Sequence, residues 1–261
     1  MQPADLRGEE FVAELVALRP DLGIVVAFKM LPPAVFELPR YGTFNLHASL
    51  LPQYRGAAPI NWAIINGERE TGVTTFMLNP RMDEGAVIAS RRVAIAEEDN
   101  AGTLHDKLMA TGAQLVTESV DAVAAEGFRP EPQPVVETLK PAPKIFKETC
   151  HVDFSAEGER IVDLVRGVSP YPGAWGMLRE RSAEEGSLVR EGIVKIYAAD
   201  FQPDAQVRVA PGSVSVENGT MRIACRDGYI LPRQVQPAGK QRMEVQQYLN
   251  GLKTKGDLRF E

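Results

Sequence analysis

The sequence predicts an α/β domain over residues 1–140 followed by a small β-barrel domain over residues 141–261. Three observations carry that prediction. In the first part, strand patterns such as the β-branched run Gly23–Phe28 and the short segment Phe44–His47 alternate with helix-period segments, as strands packed beneath helices do. Pro130, Pro132, Pro134, Pro141 and Pro143 then crowd one stretch, which reads as a semi-rigid linker over 127–143. Beyond it, short strand patterns recur between turn dipeptides such as Asn218-Gly219 and Asp227-Gly228.

In chain order, Glu9–Leu18 places Phe11, Val12, Leu15, Val16 and Leu18 at helical spacing and stops near Pro20. Gly23–Phe28 is a continuous apolar run, the pattern of a strand buried on both faces. Pro32 and Pro33 open a short helix towards Leu38, since proline suits a first helical position. Phe44–His47 is a strand, Pro59–Asn66 a helix ended by Gly67, and Val73–Leu78 and Ala86–Ala94 are further strands. Leu104, Leu108, Leu115, Val116, Val120 and Val123 give Thr103–Ala125 one apolar stripe at period 3.6. In the second part, Glu157–Arg166 and Glu244–Leu252 are helices, and Ile193–Ala198, Gly212–Val216, Met221–Ala224 and Tyr229–Pro232 are short strands.

Composition narrows the classes. With 44% apolar and 25% charged residues, the 261-residue chain has the makeup of a globular protein large enough for two cores. No window approaches 18 uncharged apolar residues, and Met1–Glu10 has no basic-then-apolar leader pattern, so the expectation is a cytoplasmic protein without a membrane span. Cys150 and Cys225 fit no metal-ligand spacing and suit reduced thiols, with a disulfide between them as the alternative; no metal is expected. The net charge of −6 is unevenly spread: residues 1–140 carry −7 and residues 141–261 carry +1. Residues 221–259 hold eight basic side chains against three acidic ones, a patch suited to phosphates or simply a solvated mixed face.

The chemistry concentrates in two places. Residues 42–59 read Gly-Thr-Phe-Asn-Leu-His-Ala-Ser-Leu-Leu-Pro-Gln-Tyr-Arg-Gly-Ala-Ala-Pro. Asn45 and His47, two apart on a strand, share one face, and a Pro/Gly-rich loop follows at once. Downstream, Met82-Asp83-Glu84-Gly85 sets a carboxylate on a Gly-flanked turn. An amide, an imidazole and a carboxylate are what acyl transfer to an amine requires: a donor for the oxyanion and a group that takes the ammonium proton. Alone, His47 reads as a satisfied structural residue, Ser49–Pro52 as a Pro-terminated turn and Arg55 as a solvated cation. His105 and His151 fit no catalytic pattern, and Tyr171, Pro172 and Trp175 read as core.

Together these motifs resemble the folate-dependent formyltransferases. The similarity continues through Thr71-Gly-Val-Thr-Thr75, Ala101-Gly-Thr-Leu-His-Asp106, Ala142-Pro-Lys-Ile-Phe-Lys147 and Arg166-Gly-Val-Ser-Pro-Tyr-Pro-Gly-Ala-Trp175, so it covers nearly the whole chain. The resemblance implies a Rossmann-like formyltransferase domain and a small C-terminal OB-like β-barrel. It further implies transfer of a formyl group from 10-formyltetrahydrofolate to the amino group of methionyl-initiator tRNA, in translation initiation. In that reading Asn45 and His47 polarise the formyl oxygen and Asp83 manages protons. Ser49, Leu50, Leu51 and Pro52 form a folate-contacting loop, with Met30 and Leu31 as apolar walls of the pterin site and the backbone of Asn79–Met82 opposite. Lys29 departs from the glycine more usual at its position. Arg55 meets the glutamyl tail or a phosphate, and Arg242 and Lys253 meet tRNA. No obligate protein partner is implied.

By the same resemblance, the catalytic amide at position 45 follows only one clear strand, where the family has further βα units of about 60 residues. The expectation is an N-terminally incomplete catalytic domain whose Gly23–Phe28 strand is an exposed sheet edge and an aggregation liability. Two rival readings accompany it: formylation of a nucleotide-linked amino sugar on the same scaffold, and an inactive truncated remnant.

Overall fold

A computed structural model describes residues 3, 5–27, 29–182, 184, 186–217, 219–252 and 256–261. The chain divides into two compact units. One comprises residues 1–60, 69–96 and 104–144; the other comprises 61–68, 97–103 and 145–261.

The first unit is built on four strands among the described residues: β1 (Gly23–Val26), β2 (Thr43–His47), β3 (Glu70–Met77) and β4 (Val87–Ala94), hydrogen-bonded in that order. β1 and β2 run parallel, with Ile24 opposite Phe44 and Val26 opposite Leu46. The β2–β3 and β3–β4 pairs are antiparallel. Helices α1 (Glu9–Leu18) and α2 (Pro33–Phe36) flank β1 in sequence. Helix α3 (Pro59–Ile65) begins in this unit, and α4 (Ala101–Ala124) runs through most of it.

The stripe read from sequence is the buried face of α4: Leu104, Leu108, Leu115 and Val123 are all withdrawn from solvent. Gly112 lets α4 approach β2, for a β-carbon there would lie 2.7 Å from Leu46 Cδ2. Ser119 and Thr75, both buried, share a hydrogen bond of 2.6 Å between α4 and β3. A buried hydroxyl pair of this kind satisfies two groups whose isolation would be costly.

β1 departs from the reading of a strand buried on both faces. It has one neighbour among the described residues, and Ile24 and Val26 are 47% and 56% exposed. The exposed sheet edge expected from the sequence is therefore present. Phe28, at the end of the predicted strand, lies outside the described residues, as does Asn218 of the predicted Asn-Gly turn.

The second unit is a closed barrel. Its strands are β5 (Ala174–Ser182), β6 (Leu188–Pro203), β7 (Ser213–Glu217), β8 (Thr220–Cys225), β9 (Gly228–Pro237) and β11 (Gly256–Phe260). Among the described residues they run β9-β6-β5-β11-β7-β8, and β8 pairs again with β9 to close six strands into a ring. The two-residue β10 (Met243–Glu244) hangs on β9 and leads into α6 (Val245–Gly251). Among the described residues, ring closure gives each of these six strands a partner on either side. Ile196, Met221, Ile223 and Ile230 fill the interior, and α5 (Gly158–Gly167) adds Ile161 and Val165 to the same core.

Cys150 and Cys225 are free thiols in this core. Burial pushes both above the ordinary value of 9.0, because a thiolate there would lose its hydration. Burial likewise raises Tyr248 above 10.0. Folding thus favours the protonated forms, so this contribution is complete below the unfolded pKa values and is lost as pH rises through the higher folded ones. The melting temperature is expected to hold through neutral pH and to fall above about pH 9, with a shallower fall in a Cys150→Ala/Cys225→Ala double variant. Thermal unfolding across the alkaline range measures both slopes; parallel slopes would contradict the assignment.

Candidate active site

β2 carries Asn45 and His47 on one face because side chains alternate along a strand. Asn45 lies in register with Val25 of β1 and Phe76 of β3, and His47 with Thr74. His47 is 6% exposed, with its ring edge-on to Phe76 at 6.5 Å between centroids. Its Nε2 lies 2.8 Å from the Tyr54 carbonyl oxygen. A carbonyl only accepts, so Nε2 carries the hydrogen in this contact. The other nitrogen, Nδ1, faces Asp83 Oδ2 at 3.9 Å, an ion-pair separation too long for a direct hydrogen bond. Asn45 is half-buried, and its Oδ1 is buried without a hydrogen-bond partner among the described residues.

The carboxylate is held by the backbone around it. Asp83 has φ of 54°, a left-handed conformation uncommon outside glycine. Its Oδ2 accepts the Gly56 N–H at 2.9 Å. Gly56 sits at φ 126°, and a β-carbon there would collide with the Ala142 carbonyl oxygen. The turn beyond Asp83 is just as tight, since a β-carbon on Gly85 would run into the Met77 carbonyl oxygen. Asp83 is thus pressed between β3 and the loop after β2.

The other residues singled out from the sequence fall into separate groups. Ser49 is buried: its Oγ donates to the Gln53 carbonyl at 2.7 Å, and its own carbonyl accepts from Thr74 Oγ1 at 2.7 Å. Leu50 and Leu51 are half-buried, Pro52 is buried, and the Leu51 N–H donates to Thr74 Oγ1 at 3.3 Å. Met30 and Leu31 border a cavity of about 510 Å³ that Phe36, Asn79 and Pro80 also line. Ser49–Pro52 are not among the residues that line this cavity.

Arg55 is engaged within the protein. Its Nη1 pairs with Glu84 Oε1 at 3.2 Å, and its Nε and Nη2 donate to Gln133 Oε1 at 3.2 and 2.7 Å. In the barrel unit, the Arg242 guanidinium donates to Gln234 Oε1 and lies over the Tyr197 ring at 4.4 Å. Lys253 lies outside the described residues. The basic stretch is partly neutralised, with Arg222 paired to Glu217, Arg226 to Glu157 and Arg233 to Asp200.

The stretch read as a linker is a packed strap. Val87 and Glu131 exchange both backbone hydrogen bonds. The Gln53 amide donates to the Thr138 carbonyl and accepts the Lys140 N–H; the Tyr54 N–H donates to the Lys140 carbonyl, and Ala142 N–H to the Arg55 carbonyl. Within the strap, Gln133 Nε2 donates to the carbonyls of Asp83 and Gly85 at 2.7 and 2.9 Å. Sequence reading passed over Gln133, because the prolines around it announce only an extended backbone.

Comparison with known proteins places the chain. Residues 1–120 match the family model described as formyl transferase, and residues 144–253 match the formyl transferase C-terminal domain. The methionyl-tRNA formyltransferase of Parabacteroides distasonis is 49% identical over 262 residues, covering 97% of this chain and 78% of that protein. That of Bacteroides fragilis is 47% identical over 256 residues, covering 97% of this chain and 77% of that protein. The chain belongs to the formyltransferase family. Among solved structures, HypX from Aquifex aeolicus in complex with tetrahydrofolic acid aligns with a TM-score of 0.63 at 22% identity, covering 92% of this chain and 40% of that one. An N-formyltransferase from Helicobacter canadensis, solved with folinic acid and dTDP-3-aminofucose, aligns with a TM-score of 0.53 at 18% identity, covering 74% of this chain and 65% of that one. At these identities the two structures speak to fold alone.

The tight turn at Gly85 yields a direct test. Gly85→Ala forces the Asp83 turn away from Met77 and is expected to destabilise the protein by more than about 2 kcal/mol. Urea unfolding measures it; a change below about 0.5 kcal/mol would mean that the turn is looser than its geometry indicates.

Proposed function

We propose that this chain transfers a formyl group from 10-formyltetrahydrofolate to the amino group of methionyl-initiator tRNA. The observation that carries the proposal is the 49% identity over 97% of this chain to a methionyl-tRNA formyltransferase, in a chain whose His47 and Asp83 face each other on the strand face that Asn45, with its unsatisfied oxygen, shares. A folate donor suits these residues: Met30 and Leu31 offer apolar wall to a flat ring, and the orphaned amide oxygen of Asn45 lacks only a polar partner. Bound, such a donor supplies an electrophilic formyl carbon attached to nitrogen.

The residues then divide the work. The substrate amine adds to the formyl carbon, and the carbonyl electron pair moves onto oxygen. Asn45, turned to present Nδ2, donates to that oxygen at little desolvation cost. His47 has Nε2–H committed to Tyr54, so only Nδ1 is left to act, and it donates when the ring is protonated. Asp83, fixed by Gly56, sets a negative charge 3.9 Å from that nitrogen and takes the proton released by the attacking ammonium, directly or through water. Collapse breaks the carbon–nitrogen bond to the donor, whose nitrogen regains a proton.

The catalytic domain in this proposal is residues 1–140, and residues 141–261 form an OB-like barrel that meets tRNA, with the reaction in the cytoplasm. Ser49, Leu50, Leu51 and Pro52 remain the proposed folate-contacting loop, its shape held by the bonds of Ser49 to Gln53 and Thr74. Arg55, Arg242 and Lys253 remain the proposed phosphate contacts. The amino-sugar alternative draws on solved structures at 28% identity and below, against the 49% shared with a methionyl-tRNA formyltransferase.

Two measurements test the proposal. Asp83→Asn is expected to lower formyl transfer to methionyl-tRNA by at least about 100-fold while leaving folate affinity within about threefold, read by single-turnover assay and by titration. Undiminished transfer would remove Asp83 from the chemistry. Arg242→Glu is expected to weaken tRNA binding and flatten its dependence on salt, because fewer counterions are released. Identical salt slopes in parent and variant would remove Arg242 from the interface.

A further inference from the structure

One side chain outside the catalytic trio ties the Asp83–Gly85 turn to Arg55. Gln133 Nε2 uses both of its hydrogens on the carbonyls of Asp83 and Gly85, at 2.7 and 2.9 Å. Its Oε1 accepts twice from Arg55, at 3.2 and 2.7 Å. A glutamine amide offers two donor hydrogens and an acceptor oxygen with two lone pairs, so this one is fully used. Arg55 in turn holds Glu84, the residue between the two pinned carbonyls, at 3.2 Å. Residues 83, 84 and 85 are each held through the same amide, directly or through one guanidinium.

That matters because the turn is not one the chain adopts freely. Asp83 stands at φ 54°, a conformation that is costly for an ordinary residue and persists only where its surroundings over-determine it. Gly56 N–H fixes the carboxylate end of Asp83, and Gln133 fixes its backbone end. With both ends set, Oδ2 is kept 3.9 Å from His47 Nδ1.

We infer that Gln133 is a positioning residue for the reaction, latching the Asp83–Gly85 turn so that the Asp83 carboxylate stays aligned with His47. It acts through Asp83 and does not touch the reacting atoms. The inference rests on the proton-handling role given above to His47 and Asp83, and the two stand or fall by different results.

The test compares the 261-residue chain with its Gln133→Ala and Gln133→Met variants, the second keeping the side chain's reach without its hydrogen bonds. The Gly56 amide, bonded to Asp83, is followed by ¹H–¹⁵N NMR, together with the Tyr54 and Ala142 amides, which donate to backbone carbonyls of the strap and loop. The expected result is an upfield shift and faster exchange at Gly56, with Tyr54 and Ala142 still protected. Transfer to methionyl-tRNA should show kcat reduced about 10- to 100-fold and KM for the folate within about threefold, as a misplaced group produces. Combined with Asp83→Asn, either variant should add no further loss, because the latch has nothing left to hold. An unmoved Gly56 amide, equal fraying of all three amides, losses that add to those of Asp83→Asn, or failure of both variants to fold would each overturn the positioning role. Full activity in Asp83→Asn would instead overturn the proton-handling reading itself. Loss in Asp83→Asn beside unchanged kcat and an unmoved Gly56 amide in the Gln133 variants would overturn the latch alone.

Discussion

The close passage of two backbones, Gly56 over Ala142, is the constraint on which the site depends. It exists only because position 56 has no side chain. From it follow the strap's hydrogen bonds to the loop after β2, the direction of the Gly56 N–H and the acceptor it finds in Asp83. The loop also turns the Tyr54 carbonyl onto His47 Nε2, which leaves Nδ1 as the imidazole nitrogen facing Asp83. A tautomer choice at His47 is therefore made by main-chain geometry some distance along the sequence.

The parts of this arrangement that were legible in the sequence are the local ones. Asn45 and His47 are separated by one residue on a strand, so their common face follows from alternation alone. The α4 stripe repeats along most of the helix and is hard to misread. Asp83 stood out by its Gly85 neighbour, and Gly85 proves to be required by contact with Met77. What stayed hidden depends on residues far apart in the chain. Gln133 lies 50 residues from Asp83 and 78 from Arg55, in a stretch whose prolines fix an extended backbone but say nothing of what it lies against. β5 was hidden differently: Arg179, Glu180 and Arg181 make its end look solvated, whereas Glu180 is buried and paired with Arg190 at 2.7 Å. β11 is short, and its few apolar residues take meaning only from pairing with β5 and β7.

Charge along the sequence left more than one reading open. The excess of basic residues over 221–259 left a phosphate-binding face and a solvated mixed face both open, and Arg222, Arg226 and Arg233 each meet an acidic side chain drawn from elsewhere in the unit. Counting charges along the sequence leaves out those partners. Such exposed pairs contribute little to stability, but they do lower the local field that a polyanion would feel.

The barrel unit is not continuous in sequence, for it includes residues 61–68 and 97–103 as well as 145–261. Asn61 donates to the Gly167 carbonyl at 2.7 Å, and Gly167 is bare because a β-carbon would meet Ile65 at 2.5 Å. A scissile point chosen at residue 144 would consequently not liberate a finished barrel. It would strip α5 of a helix-end partner and uncover an apolar seat for Ile65. Gene fusions, fission events or recombinant halves that respect the proline-rich boundary in the sequence would still cut through the three-dimensional unit.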